Sequence, residues 1–227
     1  RIGLVGIDLV KPKDFPILKK YGLLSTMTEG AEITKKESFN DPSFHSELKD
    51  RYINHIDYVS KAGFKNLICF SGNKKGMDDE TGLNNCVKGL KKILSYAEKK
   101  DVIVLMELFN SKVDHPDYMC DNTKWAIELC KRLDSPNFKL LYDIYHMQIE
   151  EGDIIRTIND NHVYFGHYHT AGVPGRNEIN SSQELNYPAI MKAIVKTGYS
   201  GFVAQEFRTT RKNPIESLQE AINICDV

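Results

Sequence analysis

Acidic and histidine side chains lie at or just after the ends of four successive short apolar runs between residues 102 and 207. The four are Glu107, Asp143, His169 and Glu206, and each preceding run has the pattern of a β-strand. The active sites of parallel α/β barrels form where the strands end. Because neighbouring strands of such a barrel end at the same mouth, we predict that these four side chains converge on one point.

Alternation along a strand predicts which neighbours share a face with these side chains. His167 lies one pleat deeper than His169, which leaves it either as a core residue or as a partner of the groups at the mouth. A single strand-end carboxylate is usually a helix cap or a surface ion pair, but the coincidence at four strand ends favours a common site. The predicted faces are Ile103, Leu105 and Glu107; Leu141 and Asp143; Phe165, His167 and His169; and Phe202, Ala204 and Glu206.

Three carboxylates and one imidazole are a donor set for a divalent cation. A carboxylate after a buried run is costly unless it is paired or coordinated. This set, with open positions, suits Mg²⁺ or Mn²⁺, and the absence of cysteine from it argues against structural zinc. Such an ion could hold adjacent carbonyl and hydroxyl oxygens of a sugar-like substrate and stabilise an enediolate. Glu107 could then carry a proton at one carbon, and Glu206 could serve the other carbon or the opposite face.

The elements that would position these residues alternate between strands and helices. Most of the apolar runs are apolar on both faces, as in parallel strands that are covered by helices. Helical periods lie between them: Leu48, Tyr52, Ile56 and Val59 share one face, and so do Leu83, Val87, Leu90, Leu94 and Ala97. The seven runs are residues 4–10, 23–27, 66–70, 102–108, 139–143, 162–167 and 201–207.

Local signals predict where several helices begin and end. Asp121 is the candidate N-cap of a helix that buries Trp125, Leu129 and Leu133. The final helix starts near Asn213-Pro214, and Ile215, Leu218 and Ile222 form its predicted buried stripe. Gly22, Gly63 and Gly198 each lie between a helix and a strand, as left-handed C-caps do, and Gly3 has the same setting.

These patterns predict a (β/α)8 TIM barrel. Seven strands are visible, and one further strand–helix unit before Arg1 would complete the eight that close such a barrel. We therefore expect residues 1–227 to be a single barrel domain without its first unit. No Gly-rich phosphate loop follows the first strand, which weakens the doubly wound nucleotide-binding alternative. Residues 28–41 and 71–81 are the candidate loops over the site.

Composition excludes several other classes of protein. The 227 residues include 30 Lys and Arg against 31 Asp and Glu, so there is no excess of positive charge for nucleic acid or an anionic membrane. No apolar run approaches the length of a membrane-spanning helix. Five cysteines, an odd number at wide spacing, indicate reduced thiols and a cytoplasmic location. An export signal would precede Arg1 and lie outside this sequence.

Several longer stretches around the strand ends carry a more specific pattern: residues 106–110, 141–148, 167–176, 184–188 and 198–206. Together they resemble the hydroxypyruvate isomerase family of xylose isomerase-like TIM barrels. The resemblance implies that Glu107, Asp143, His169 and Glu206 bind one divalent metal ion, Mg²⁺ or Mn²⁺. Glu107 and Glu206 would also be the catalytic pair that moves protons.

The resemblance further implies that His146 and Arg176 bind oxygens of a small hydroxy-carbonyl or sugar substrate. His146 lies three residues beyond Asp143, past the strand end, and Arg176 lies in a loop with Pro174 and Gly175. A capping or packing role for His146 and a solvated position for Arg176 are the alternatives. The resemblance is also compatible with a homo-oligomer, because many such barrels associate.

Four functions remain open from the sequence. The first is an isomerase that moves protons between adjacent carbons, and the second is a ketose 3-epimerase that uses the same Glu pair. Histidine at position 169 resembles the ketose epimerases more than those hydroxypyruvate isomerase relatives that carry Gln there. Val113, however, stands where the epimerases have a substrate-binding Glu. The third is a phosphodiesterase like endonuclease IV, which would need more histidine ligands and a basic surface. The fourth is a sugar-binding barrel without catalysis.

Overall fold

Seven parallel strands form a curled wall in the computed structural model, which describes residues 2–32 and 38–227. The strands are β1 (Gly6–Ile7), β2 (Leu24–Ser25), β3 (Asn66–Cys69), β4 (Ile103–Glu107), β5 (Phe138–Asp143), β6 (Phe165–Thr170) and β7 (Val203–Gln205). β1 pairs with β2, and β3 to β7 pair in chain order. Thr28 bridges the two groups through Leu67. The predicted parallel α/β barrel class is thereby confirmed.

Eight helices lie between or after these strands in the described residues. None of them is long and apolar enough to cross a membrane. The helices are α1 (Phe15–Lys20), α2 (His45–Ala62), α3 (Asp79–Lys99), α4 (Thr123–Leu133), α5 (Ile144–Glu150), α6 (Ile154–Asn161), α7 (Tyr187–Lys196) and α8 (Pro214–Cys225).

The wall has a different core on each side. The larger core lies between strands and helices and includes the predicted α2 stripe, in which Leu48, Tyr52, Ile56 and Val59 are all buried. The smaller core lies inside the wall and joins Met27, Ile68, Leu105 and Leu141. Because Leu105 and Leu141 point inward, Glu107 and Asp143 two residues later point inward as well.

The prediction that Phe165 shares the inward face of β6 with His167 and His169 is wrong. The pairing of β5 with β6 shifts register, so that Leu140 is opposite Phe165 but the next residue, Leu141, is opposite His167. The extra residue turns Phe165 away from the interior, and its ring stacks on Tyr142 with centroids 4.4 Å apart. β6 also begins later than expected, because His162–Tyr164 form a 3₁₀ helix.

Two helix predictions also need correction. The N-cap of α4 is Asn122, whose side chain accepts the N–H of Trp125, whereas Asp121 pairs with Lys74. In α8 the expected stripe is not buried: Ile215 is 50% exposed, and the buried residues are Ser217 and Ala221. The reason lies in the packing of α8. Ser217 turns inward to hydrogen-bond with Glu178, while Leu218 and Ile222 line open grooves.

The predicted glycine caps are left-handed in the structure. Gly22, Gly63 and Gly198 have φ of +67°, +77° and +79°, and Gly63 is the C-cap of α2. Gly3 shares this conformation, with φ of +88°, although Arg1 before it lies outside the described residues. These positions favour glycine because a Cβ is strained at such φ values.

Candidate functional site

The four predicted strand-end side chains converge inside the wall. Glu107 ends β4, Asp143 ends β5, His169 lies in β6, and Glu206 follows β7. One nitrogen or oxygen atom from each lies within 4.8 Å of the other three. His169 Nδ1 is 3.1 Å from a Glu107 oxygen and 2.9 Å from a Glu206 oxygen. We refer to these four residues as the central cluster; all but Glu206 are buried.

Asp143 uses its two carboxylate oxygens differently. Oδ1 accepts the backbone N–H groups of Tyr145 (2.8 Å) and His146 (3.2 Å), which makes Asp143 the N-cap of α5. Oδ2 is buried without a hydrogen-bond partner among residues 2–32 and 38–227. A buried, unpartnered carboxylate oxygen is costly, and a bound cation would relieve that cost. The three carboxylates and one imidazole of the central cluster therefore fit a divalent ion.

Burial and mutual contacts shift the pKa values of the central cluster in opposite directions. Burial raises the pKa of Glu107 to about 7, although the hydrogen bond to His169 opposes it. Burial also raises the pKa of Asp143 to about 6. For Glu206, the effect of burial is outweighed by His169 and Arg176, which lower its pKa to about 2. Although burial lowers it, hydrogen bonds to carboxylates hold the pKa of His169 well above its usual value.

Arg176 places a second positive charge at the edge of the central cluster. Its guanidinium donates a hydrogen bond to Glu206 and lies 3.6 Å from Asp143 Oδ2. The loop that carries it is left-handed at Gly175 (φ +93°) and at Arg176 itself (φ +59°). The Arg176 carbonyl accepts the N–H of Arg208 (2.7 Å), which ties the loop to the segment after β7. The predicted substrate-binding arginine therefore lies against the carboxylates.

Asn110 fixes the ring proton of His146 beside the central cluster. Its amide nitrogen donates to His146 Nδ1 (2.7 Å) and to Asp114 (2.8 Å), while its oxygen accepts the N–H groups of Val113 and Asp114. Because Nδ1 accepts, the proton is on Nε2. That nitrogen is buried, lies 3.7 Å from Asp143 Oδ2 and has no hydrogen-bond partner in the described part of the chain. Burial lowers the pKa of His146 to about 2, so the ring is neutral and one N–H donor is free.

Asp8 is a site residue that the sequence prediction missed. It follows β1, and its Oδ2 accepts hydrogen bonds from Nε2 of His167 (2.6 Å) and Nε2 of His169 (2.8 Å). The signal that could have identified it resembles the one that marked the others, because Asp8 is an acidic residue two positions before the end of the apolar run 4–10. The contact also shows that His167, left open between two roles, is a partner of groups at the site.

A cavity of about 640 Å³ opens above the central cluster, within the usual range for small-molecule sites. Its lining comes from the segments after β1 and after each of β3 to β7, and includes Val113, Arg176 and Arg208. None of residues 71–81, one of the two expected loops over the site, lines the cavity, and Lys74 in that segment pairs with Asp79 and Asp121. Of the other expected loop, residues 28–41, positions 33–37 lie outside the described residues.

Comparison with known sequences identifies related isomerases. The family model described as xylose isomerase-like TIM barrel matches residues 27–226. Hydroxypyruvate isomerase of Escherichia coli is 30% identical over 74% of this chain and 64% of its own length. The 2-oxo-tetronate isomerase of Cupriavidus necator is 35% identical over 49% of this chain and 42% of its own length. Matches to relatives from human, mouse and zebrafish cover 43 to 47% of those proteins, so the chain spans about half the length of most of these relatives.

Solved structures share the fold over nearly the whole chain. An AP endonuclease of family 2 from Brucella melitensis is 25% identical, with a TM-score of 0.79 over 93% of this chain and 85% of its own. The 3-keto-D-glucoside 4-epimerase of E. coli is 18% identical, with a TM-score of 0.82 over 98% of this chain and 89% of its own. At that identity the second likeness supports the fold alone.

Proposed function

Because this chain belongs to the xylose isomerase-like TIM barrel family, we propose that it is a divalent-metal-dependent isomerase similar to hydroxypyruvate isomerase. Its substrate would be a small hydroxy-carbonyl compound in which a proton moves between adjacent carbons. The observation that carries the proposal is the placement of Glu107 and Glu206 on either side of His169. We also propose that residues 1–227 form one domain of this barrel.

The central cluster would hold one ion, Mg²⁺ or Mn²⁺, through Glu107, Asp143, His169 and Glu206. When bound, the ion would supply positive charge to polarise a carbonyl oxygen and to bind a neighbouring hydroxyl oxygen. The orphaned Oδ2 of Asp143 and the donor chemistry of the cluster support this assignment.

The two glutamates would carry the proton. A carboxylate beside the substrate can take a proton from carbon and, once protonated, return it. Burial raises the pKa of Glu107 above its ordinary value in the metal-free cluster. Glu107 would take the proton from the hydroxyl-bearing carbon beside the carbonyl and return it to the former carbonyl carbon. The proton of that hydroxyl would pass to the former carbonyl oxygen as the new carbonyl forms. Glu206, which stays ionised, would serve the opposite face of the substrate.

His146 and Arg176 would hold the substrate in place. The free Nε2–H of His146 is a neutral donor for a carbonyl or hydroxyl oxygen, whereas Arg176 offers a charged donor at the rim. Arg208 adds a second cation to the same rim. Two guanidinium groups favour a substrate with a carboxylate, such as hydroxypyruvate, over a neutral ketose.

The test is a screen of three- to six-carbon hydroxy-carbonyl compounds in heavy water with Mg²⁺ or Mn²⁺ supplied. We expect the wild type to exchange protons at two adjacent carbons of the substrate with the solvent. The rate of exchange by Glu107→Gln should be lower by about 10²- to 10⁴-fold. Asp121→Asn, a substitution of a buried carboxylate that pairs with Lys74, is the matched control and should keep full activity.

Three results would contradict the isomerase. Exchange confined to C3 of a ketose would indicate the 3-epimerase, which the epimerase structures of this fold make the second candidate. Cleavage of abasic DNA would indicate the phosphodiesterase. Substrate binding without any exchange would indicate a sugar-binding barrel. Full activity of Glu107→Gln on every substrate would remove Glu107 from the mechanism.

A further inference from the structure

Asp8 connects two histidines through a single carboxylate oxygen. Oδ2 lies 2.6 Å from His167 Nε2 and 2.8 Å from His169 Nε2, both hydrogen-bond distances. The other oxygen, Oδ1, accepts the hydroxyl of Thr26, on the neighbouring strand segment. Both imidazole rings are fully buried, and the Asp8 side chain is only 11% exposed. The carboxylate is therefore held from three sides.

The two ring nitrogens of His169 face different groups. Nδ1 points to Glu107 and Glu206, and Nε2 points to Asp8. A nitrogen that binds a metal ion carries no proton, so a neutral ring that binds through Nδ1 must have its proton on Nε2. Asp8 is the only described residue that accepts a hydrogen bond from that position. Its negative charge also makes the opposite nitrogen a stronger donor to a cation.

We propose that Asp8 is the positioning residue of the central cluster, fixing the ring orientation and proton of His169 so that Nδ1 can bind the ion. The inference rests on the proposed metal-dependent function and adds to it a residue outside the four ligands. His167 donates to the same oxygen and holds the Asp8 carboxylate from its other side. Asp8 does not contact the substrate cavity and acts through His169.

The alternative is that Asp8, His167 and His169 bind an ion of their own, since their ligand atoms are also close together. The distances argue against it. Ligands about 2.1 Å from a shared ion usually stand some 3 Å apart or more, whereas Asp8 Oδ2 is 2.6 Å from His167. A hydrogen bond accounts for that distance directly.

The experiment measures Mn²⁺ affinity and stoichiometry by the electron paramagnetic resonance signal of free Mn²⁺. Removing a carboxylate that hydrogen-bonds to a metal-binding histidine typically weakens metal binding 10- to 100-fold. We expect Asp8→Ala to bind one ion per chain with a dissociation constant raised by that factor. Asp8→Asn, which keeps an acceptor oxygen but not the charge, should lie between it and the wild type. Asp121→Asn should match the wild type.

A second readout reports the proton itself. Proton–nitrogen correlation spectra of ¹⁵N-histidine protein loaded with Mg²⁺ should show an exchange-protected Nε2–H on His169 in the wild type. In Asp8→Ala that proton should exchange freely with water. Loss of protection at His169 alone, with the protection of the backbone amides unchanged, distinguishes this role from a general loss of stability. Unaltered circular dichroism of Asp8→Ala and Asp8→Asn guards against unfolding.

The outcomes separate this inference from the proposed function. Equal Mn²⁺ affinity and equal protection in Asp8→Ala and wild type would overturn the role of Asp8 and leave the isomerase intact. Two ions per wild-type chain, one of them lost in Asp8→Ala, would overturn it in favour of a second metal site. No Mn²⁺ or Mg²⁺ binding by the wild type would overturn both.

Discussion

At Glu107, burial and a hydrogen bond from His169 act on one carboxyl group in opposite directions. Burial is the larger effect and raises the pKa to about 7, while across the imidazole Glu206 keeps a pKa of about 2. Two carboxylates with separated pKa values are the arrangement that distinct acid and base roles require. The surroundings, and not the residue type, therefore distinguish the two glutamates.

The free donor of His146 gives a prediction at the same scale. Replacing His146 with Leu removes the Nε2–H, and one hydrogen bond to a substrate oxygen is worth about 1–3 kcal/mol. We expect kcat/KM to fall by about 10- to 100-fold, and we expect His146→Gln, which keeps an N–H donor, to recover part of the loss. Steady-state kinetics on the best substrate measures this. Unchanged kcat/KM in His146→Leu would exclude His146 from substrate binding.

At the scale of elements, sequence pattern predicts most of the site because strand ends are visible in it. Acidic residues after apolar runs marked Glu107, Asp143 and Glu206. The first apolar run also contains an acidic residue, Asp8. Its strand is short and its histidine partners are far away in the sequence, so the pattern did not group Asp8 with the other three. Non-local geometry of that kind appears only when the wall curls and brings β1 across from β6.

Register and helix faces were harder to predict than the elements themselves. One extra residue in β6 turns Phe165 outward, and alternation alone cannot detect such a bulge. In α8 the buried face follows a polar contact, because Ser217 bonds to Glu178 while Ile215 stays exposed. Hydrophobic periodicity assumes that apolar residues define the buried face, and here they do not.

Glu178 is the contact that joins the Arg176 loop to the start of α8. Its carboxylate accepts hydrogen bonds from Thr209, Thr210 and Ser217. Burial would raise its pKa, but these and backbone hydrogen bonds lower it from 4.5 to about 2. A carboxylate whose pKa is lower in the folded state stabilises that state above its unfolded pKa, and loses this effect as the pH falls through the folded value.

Glu178→Ala should therefore lower the free energy of unfolding by about 1.5–3 kcal/mol at pH 7. The difference from wild type should shrink as the pH falls from 4.5 toward 2. Denaturant titration across this range measures both effects. Glu216→Ala, on the exposed first turn of α8, is the control and should stay within about 0.5 kcal/mol of wild type. A difference that grows toward acid pH would contradict the role of the Glu178 charge.

At the scale of the molecule, the wall ends at β1 and β7. Among the described strands β1 pairs only with β2 and β7 only with β6, and a groove of about 360 Å³ separates them. Val5 and Ile7 beside this groove are 60% and 48% exposed. Strand count and glycine caps were thus sufficient to predict the barrel class.

Metal binding should stabilise the whole molecule. An ion that binds only the folded state at 100 times its dissociation constant adds about 2.7 kcal/mol. For a chain of 227 residues we expect Tm to rise by roughly 5–10 °C. Differential scanning calorimetry with Mg²⁺ or Mn²⁺ measures this shift. Asp143→Ala should abolish most of it and Asp121→Asn should preserve it. An unchanged wild-type Tm with both ions would exclude the metal centre.

The groups of the site come from distant parts of the chain. His169 is 62 positions from Glu107 and 161 from Asp8. Closing such long loops costs chain entropy before the non-local contacts can stabilise the fold. Neighbouring helix pairs such as α2 and α3 can assemble much earlier. An ion that needs all four ligands would therefore bind with full affinity only after the strands that carry them have come together.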